Sequence, residues 1–206
     1  MKKILTLLGV VVLAVGAYIV WHVVLNYRFE EISKDKVYKS RLISPDKLGG
    51  YLKEYKIKTV IDLIDPIRHD KLDNGRQANI DAEAGAVQKY NEEHHTNVVH
   101  VNIPSSQIPT KETLSKFFQV LDNNASYPVL IHCYDGTGRA PLYSAIYRVE
   151  YEKWKNADAR AKTRVIVEGF GYRSSFADGK GKGDFLMHYK PRSDGKDATI
   201  NQLKDH

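Results

Sequence analysis

One stretch carries residues whose types and order can do chemistry: Val129-Leu130-Ile131-His132-Cys133-Tyr134-Asp135-Gly136-Thr137-Gly138-Arg139-Ala140. An apolar run ends in the only Cys; five loop residues, an Arg and a helix-forming stretch follow. That order aims backbone N–H groups into a small cup at a helix N-terminus, a receptor for a tetrahedral oxyanion. Gly136 and Gly138 allow the tight backbone path. The positive field of the helix start favours the thiolate of Cys133, the nucleophilic form. Arg139 has a planar fork that matches two phosphate oxygens. Read singly, Cys133 would be a small buried apolar residue and Arg139 a solvated helix residue. Together with His132, Gly136 and Gly138 they point to phosphoryl transfer.

The surrounding elements must hold this loop. Val129–His132 is a short apolar run suited to a sheet centre. Thr59-Val60-Ile61-Asp62-Leu63-Ile64 is a β-branched run suited to a central strand. Val98 to Ile103 reads as a further strand, closed by Pro104, and Lys36 to Ser40 as a short edge strand. Ser44-Pro45 starts a helix with Leu48, Tyr51, Leu52 and Tyr55 at helical spacing. Helices are also predicted over Ala78–His94, after a cap at Thr110, over Ala140–Trp154 and from Ala157 to Val167. Leu114, Phe117, Phe118 and Leu121 form the stripe of the Thr110 helix. Strands alternating with helices predict an α/β fold with a mostly parallel central sheet flanked by helices. From Gly169 the chain is rich in Gly, Lys and Asp, with Phe170, Tyr172, Phe185, Leu186 and Tyr189 available to dock it.

The loop residues resemble the Cys-x5-Arg signature of the cysteine-dependent protein tyrosine phosphatase superfamily, with His132 at the position before the nucleophile. The opening Val37-Tyr38-Lys39-Ser40-Arg41 and Ile57–Leu63 are similar to the dual-specificity phosphatases. The resemblance spans roughly Val37 to Glu168 and rests on the motif in its strand–loop–helix context. It fits the low-molecular-weight branch and a rhodanese-like loop less well. It implies Cys133 and Arg139 as catalytic residues, and His132, Tyr134, Gly136, Thr137 and Gly138 as the phosphate-binding loop; Asp135 is the third catalytic candidate, as a replacement for the family's acid. It implies no metal and no organic cofactor, and a phosphorylated protein or lipid as partner. Phosphotyrosyl or phosphoseryl protein is favoured. The alternatives are a membrane lipid phosphatase and a pseudophosphatase that binds phosphate and turns over poorly.

Two departures matter. The family usually has Ser or Thr after the Arg, bonded to the Cys sulfur; here it is Ala140, and Thr137 is the nearest substitute. The family's acidic donor comes from a loop that reads Ile103-Pro104-Ser105-Ser106-Gln107-Ile108-Pro109-Thr110 here. A leaving oxygen needs a proton unless it leaves readily. Asp135 is the preferred replacement, then Asp65, Asp70 or Glu112.

At the N-terminus, Lys2 and Lys3 precede an apolar run from Ile4 to Leu25, long enough to span a bilayer. Trp21 and Tyr27 suit its interface. The alternatives are a signal peptide cleaved near Val15-Gly16-Ala17 and a buried core helix. An uncleaved single-pass anchor is favoured, with the catalytic domain on the extracytoplasmic side by the position of Lys2 and Lys3. The layout is therefore an anchor over 1–26, a catalytic domain over 27–192 and a polar tail over 193–206, as in a bacterial, membrane-anchored phosphatase.

The chain has 206 residues, 42% of them hydrophobic and 27% charged, which excludes wholesale disorder. A single Cys excludes an internal disulfide framework. The net charge of +6 favours anionic partners. The basic residues are scattered without an RNA-type aromatic motif, so nucleic acid is not expected. His94 and His95 read as surface residues, and no convergent metal-ligand spacing is visible.

Overall fold

A computed structural model describes residues 2–67, 74–163 and 174–192, excepting the side chains of Lys2 and Leu5. A five-stranded sheet has the order β1-β2-β5-β3-β4, with β1 Glu30–Ser33, β2 Val37–Arg41, β3 Thr59–Asp62, β4 Val99–Asn102 and β5 Val129–Cys133. β1 runs antiparallel to β2, and all other pairs are parallel. Seven α-helices are described: α1 Lys2–Val20, α2 Pro45–Glu54, α3 Gln77–His94, α4 Lys111–Leu121, α5 Arg139–Tyr151, α6 Asn156–Lys162 and α7 Gly181–His188.

Strand alternation sorts the core into two layers. Val37, Ile61, Val129, Ile131 and Cys133 face α4–α7 and join Leu114, Phe117, Tyr143, Ile146 and Leu186. Tyr38, Val60 and Leu130 face the other way, onto Leu48 and Leu52 of α2 and Val87 of α3. Every residue of β3 and β5 is buried, which explains their apolar runs. Cys133 and His132, being adjacent in a strand, therefore project from opposite faces of the sheet.

One expectation about the strands is corrected. The edge strand is β1, not Lys36–Ser40, because Glu30–Ser33 forms a hairpin outside β2. The lone apolar side chain Ile32 is too weak a pattern to announce it. The Gly-rich C-terminal segment contains α7, docked through Leu186 and followed by the buried Tyr189. Beyond it, Arg192 pairs with Asp122 at 2.8 Å and Glu150 at 3.3 Å and stacks over Phe118 at 3.9 Å. Phe170, Tyr172, the end of the helix expected to reach Val167, Asp70 and the tail 193–206 lie outside the described residues.

α1 continues as a π-helical turn over Trp21–Leu25. Thr6–Leu25 is long and apolar enough to cross a membrane, with mean hydropathy 2.4 and none of it buried in the domain. A core helix would bury one face, so that alternative is removed.

Candidate active site

β5 ends at Cys133, the chain turns through Tyr134–Gly138, and α5 begins at Arg139. Gly136 has φ +69°, and a Cβ there would meet the Arg41 backbone nitrogen at 2.6 Å. Only glycine fits this position, on both conformation and space. Gly138 caps α5 at φ −114° and gives its first N–H groups no side-chain partner. Those N–H groups form an uncapped helix start, which favours an anion.

Cys133 is buried, 3% exposed, and its Sγ accepts the Gly136 N–H at 3.3 Å. Thr137 is exposed, and Ala140 is wholly buried. The described donor to the sulfur is thus a backbone amide rather than a hydroxyl. Arg139 is 4% exposed, and its Nη1 donates to the carbonyls of Leu63 at 2.8 Å and Ser105 at 3.1 Å. These carbonyls follow β3 and β4, so the sheet holds the guanidinium from behind the loop. Ser105 is fixed in turn by Tyr143, whose hydroxyl lies 2.8 Å from its Oγ.

The outer side of the loop is tied to the start of the domain. Leu42 N–H donates to the Tyr134 carbonyl at 3.2 Å, and Arg28 Nη1 donates to the Asp135 carbonyl at 2.9 Å. The Asp135 residue is exposed. Of the other carboxylates considered as donors, the two among the described residues are engaged elsewhere. Asp65 is buried and accepts the Ile67 N–H at 2.9 Å, while Glu112 pairs with Lys116 at 2.6 Å on α4.

His132 is not part of the cup, which corrects the expectation that it binds phosphate. Its Nε2 lies 2.8 Å from Glu83 Oε2 and 3.8 Å from Asp62 Oδ1, on the α3 side of the sheet. His100 Nε2 meets the same Glu83 oxygen at 2.9 Å. Asn102 Nδ2 donates to Asp62 Oδ2 at 3.1 Å, and Asp62 Oδ1 accepts the Ile64 N–H at 2.8 Å. A buried charge cluster thus lies on the opposite side of the sheet from Cys133. Burial alone would lower the His132 pKa, but the charges of Glu83 and Asp62 outweigh it and raise it to about 9. Burial would raise Glu83, but His132 and the hydrogen bond from His100 bring it down to about 2. Burial dominates at Asp62 and raises it.

Asp62, Glu83 and His132 place ligand atoms within 4.8 Å of one another, a constellation that residue spacing did not reveal. Glu83 Oε2 already serves both imidazoles. A cation there would displace these bonds, so the cluster reads as a paired ionic network. His94 and His95 are exposed, as read from the sequence.

A family model described as a DSP-PTPase phosphatase fused to NAD+ kinase matches residues 47–175, well over half of the chain. The chain belongs to this phosphatase family. Solved structures agree on the fold of the cysteine-dependent, dual-specificity-like phosphatases. The catalytic core of the S. cerevisiae PP-IP phosphatase Siw14 aligns with TM-score 0.56 and 16% identity, over 86% of this chain and 94% of that one. P. aeruginosa TpbA in complex with pTyr aligns with TM-score 0.51 and 20% identity, over 86% and 88%. PTPMT1 in complex with PI(5)P aligns with TM-score 0.54 and 16% identity, over 85% and 96%. No curated protein matches the sequence.

Proposed function

We propose that the chain hydrolyses phosphate monoesters through a phosphocysteine on Cys133. The observation that carries this reading is the position of Sγ, held by an amide at the mouth of an uncapped helix start. The thiolate attacks phosphorus, an S–P bond forms and the ester P–O bond breaks. Amides of the Tyr134–Gly138 loop and Arg139 hold the equatorial oxygens, and the leaving oxygen takes a proton. Water then attacks phosphorus, releases inorganic phosphate and returns the thiolate. The test is acid-quenched turnover of radiolabelled nitrophenyl phosphate in chelator. A label on Cys133 and steady phosphate release are expected; release without labelling would reject the covalent route.

Asp135 is the proposed proton donor, since its side chain stands on the exposed loop while its carbonyl is anchored by Arg28. Asp135→Asn should cost about 10²–10⁴-fold on a phosphoseryl or lipid ester. The loss on a nitrophenyl ester, whose phenol leaves without help, should be far smaller. Equal losses on both would assign Asp135 a structural role instead.

Phosphotyrosyl or phosphoseryl protein is one substrate class for such a cup, and TpbA was solved with pTyr. A second reading, a membrane phospholipid, has its own support. Arg28, bonded to the catalytic loop, lies three residues beyond Leu25, the end of the apolar helix. If that helix is an anchor, the cup sits beside the bilayer surface, where headgroup phosphates are concentrated. PTPMT1, with a similar fold, was solved with PI(5)P. The full chain should then fractionate with membranes and cleave a phosphoinositide or phosphatidylglycerophosphate in vesicles. Deleting residues 1–26 should reduce vesicle turnover by about 10-fold or more and leave a soluble phosphotyrosyl peptide unaffected, because only local concentration changes. Equal loss on both substrates would make the helix structural and leave the protein substrate favoured. The domain side follows the extracytoplasmic orientation argued from Lys2 and Lys3, checked by protease accessibility.

A further inference from the structure

Two cations that no motif announces stand on the β2 side of the cup. Arg41 ends β2 and is the register partner of Cys133 at the end of β5. Registered residues of neighbouring strands project from the same face, so the Arg41 side chain leaves the sheet beside the nucleophile. The Arg41 backbone also walls the Cys133–Arg139 loop, since its nitrogen is the atom nearest a Cβ at Gly136. Arg28 reaches the same loop from the segment before β1, where its Nη1 donates to the Asp135 carbonyl at 2.9 Å. Arg139 is anchored by carbonyls that follow β3 and β4. In the order β1-β2-β5-β3-β4 those anchors lie on one side of Cys133 and Arg41 on the other.

Neither guanidinium forms an ion pair among the described residues, and Arg41 Nε is buried without a hydrogen-bond partner. A buried donor left unpaired is costly, and a charge-assisted bond to an anion would recover that cost. Burial and the Arg41 charge lower the Arg28 pKa, while the charges of Asp135 and Cys133 act against them. An arginine keeps its proton, so an anion beside both groups is what relieves their repulsion. We propose that Arg28 and Arg41 form a second anion subsite, which takes a further phosphate of a substrate that carries two while the scissile phosphate sits in the cup. A substrate with a single phosphate leaves this subsite unfilled. A phosphodiester in a lipid headgroup and a phosphate on a free polyol offer the same chemistry here. This inference rests on the phosphatase reading of the neighbouring cup and narrows its substrate.

The test uses the full chain in neutral detergent micelles and three esters that differ at one position of the ring. Inositol 4-phosphate, inositol 1,4-bisphosphate and short-chain phosphatidylinositol 4-phosphate carry a hydroxyl, a phosphate and a phosphodiester at position 1. The parent should favour one or both of the latter two over the monophosphate by about 10-fold or more in kcat/KM, the size of one charge-assisted hydrogen bond. A higher value for the lipid assigns the subsite to a headgroup, and a higher value for the bisphosphate assigns it to a free polyol phosphate. Arg41→Met and Arg28→Met should each bring that ratio to within about 2-fold of unity, and Arg41→Lys should keep part of it. Lys34→Met, on the exposed turn between β1 and β2, should keep the parent ratio. Damage to the loop lowers all three substrates together, so the ratio and not the rate is the readout. If Arg41→Met fails to fold by its melting curve, Arg28→Met carries the same test. A parent that turns over all three esters alike overturns the subsite and leaves the phosphatase reading standing. So does a parent-like ratio in the folded Met variants. A parent that turns over no ester, nitrophenyl phosphate included, removes the phosphatase reading; calorimetric binding of the bisphosphate against the monophosphate then decides the subsite by the same ratio.

Discussion

Cys133→Ser should lower turnover of nitrophenyl phosphate by roughly 10⁴-fold or more, yet leave binding of inorganic phosphate within a few-fold of the parent. The serine hydroxyl is a far weaker nucleophile, but the helix start and Arg139 are untouched. Arg139→Ala should behave differently. It removes the charge proposed to meet the anion, and it also strips a donor from the buried carbonyls of Leu63 and Ser105. Phosphate binding and melting temperature should both fall, the latter because buried carbonyls left without a partner cost about 1–3 kcal/mol each. The contrast is informative because the two residues flank one loop. If Cys133→Ser kept more than about 1% of parent turnover, far above the residue expected when a nucleophile is lost, chemistry would have to run without an S–P bond.

The Cys133–Arg139 loop was legible because its signal is local. A buried strand, a Cys, two glycines and an Arg at a helix start are all encoded within twelve consecutive positions. The sheet was legible for a related reason: Thr59–Ile64 and Val129–His132 are short apolar runs, and both lie inside the sheet. β1 was not, since its single inward Ile32 offers no alternation. Lys182, buried beside Phe176 and Gln107, was hidden in a segment rich in Gly, Lys and Asp, whose composition reads as solvated surface.

The ionic cluster under the loop left a readable trace that local propensity overrides. Ile80, Glu83 and Val87 share the buried face of α3, so a carboxylate occupies an apolar stripe. Asp62 follows Val60, and His132 follows Leu130, at the two-residue spacing that sends them to that same side. A charge on an inward position calls for an inward partner from another element. That pairing rule, applied across β3, α3, β4 and β5, would have joined Asp62, Glu83, His100 and His132 and moved His132 out of the phosphate cup.

Glu83→Gln should therefore be among the most destabilising single changes in the domain. It removes a charge from between two imidazoles at 2.8 and 2.9 Å. Breaking a buried ion pair from one side costs about 3–5 kcal/mol. At this chain length that corresponds to a fall in melting temperature of roughly 6–20 °C. The pH profile separates this cause from lost packing. His132 titrates at about 9 in the folded chain, above its ordinary value of 6.5. Its contribution is thus fully present below about pH 6.5 and lost as pH rises through 9. Glu83, held at about 2, contributes above the ordinary carboxylate range, and that share is lost only as pH falls through about 2. Melting temperature should accordingly decline between pH 6.5 and 9 in the parent. The decline should flatten in Glu83→Gln, where the Glu83 charge no longer holds the His132 proton. A variant that melts within about 2 °C of the parent and keeps the same alkaline decline would mean that Glu83 does not carry the charge His132 pairs with.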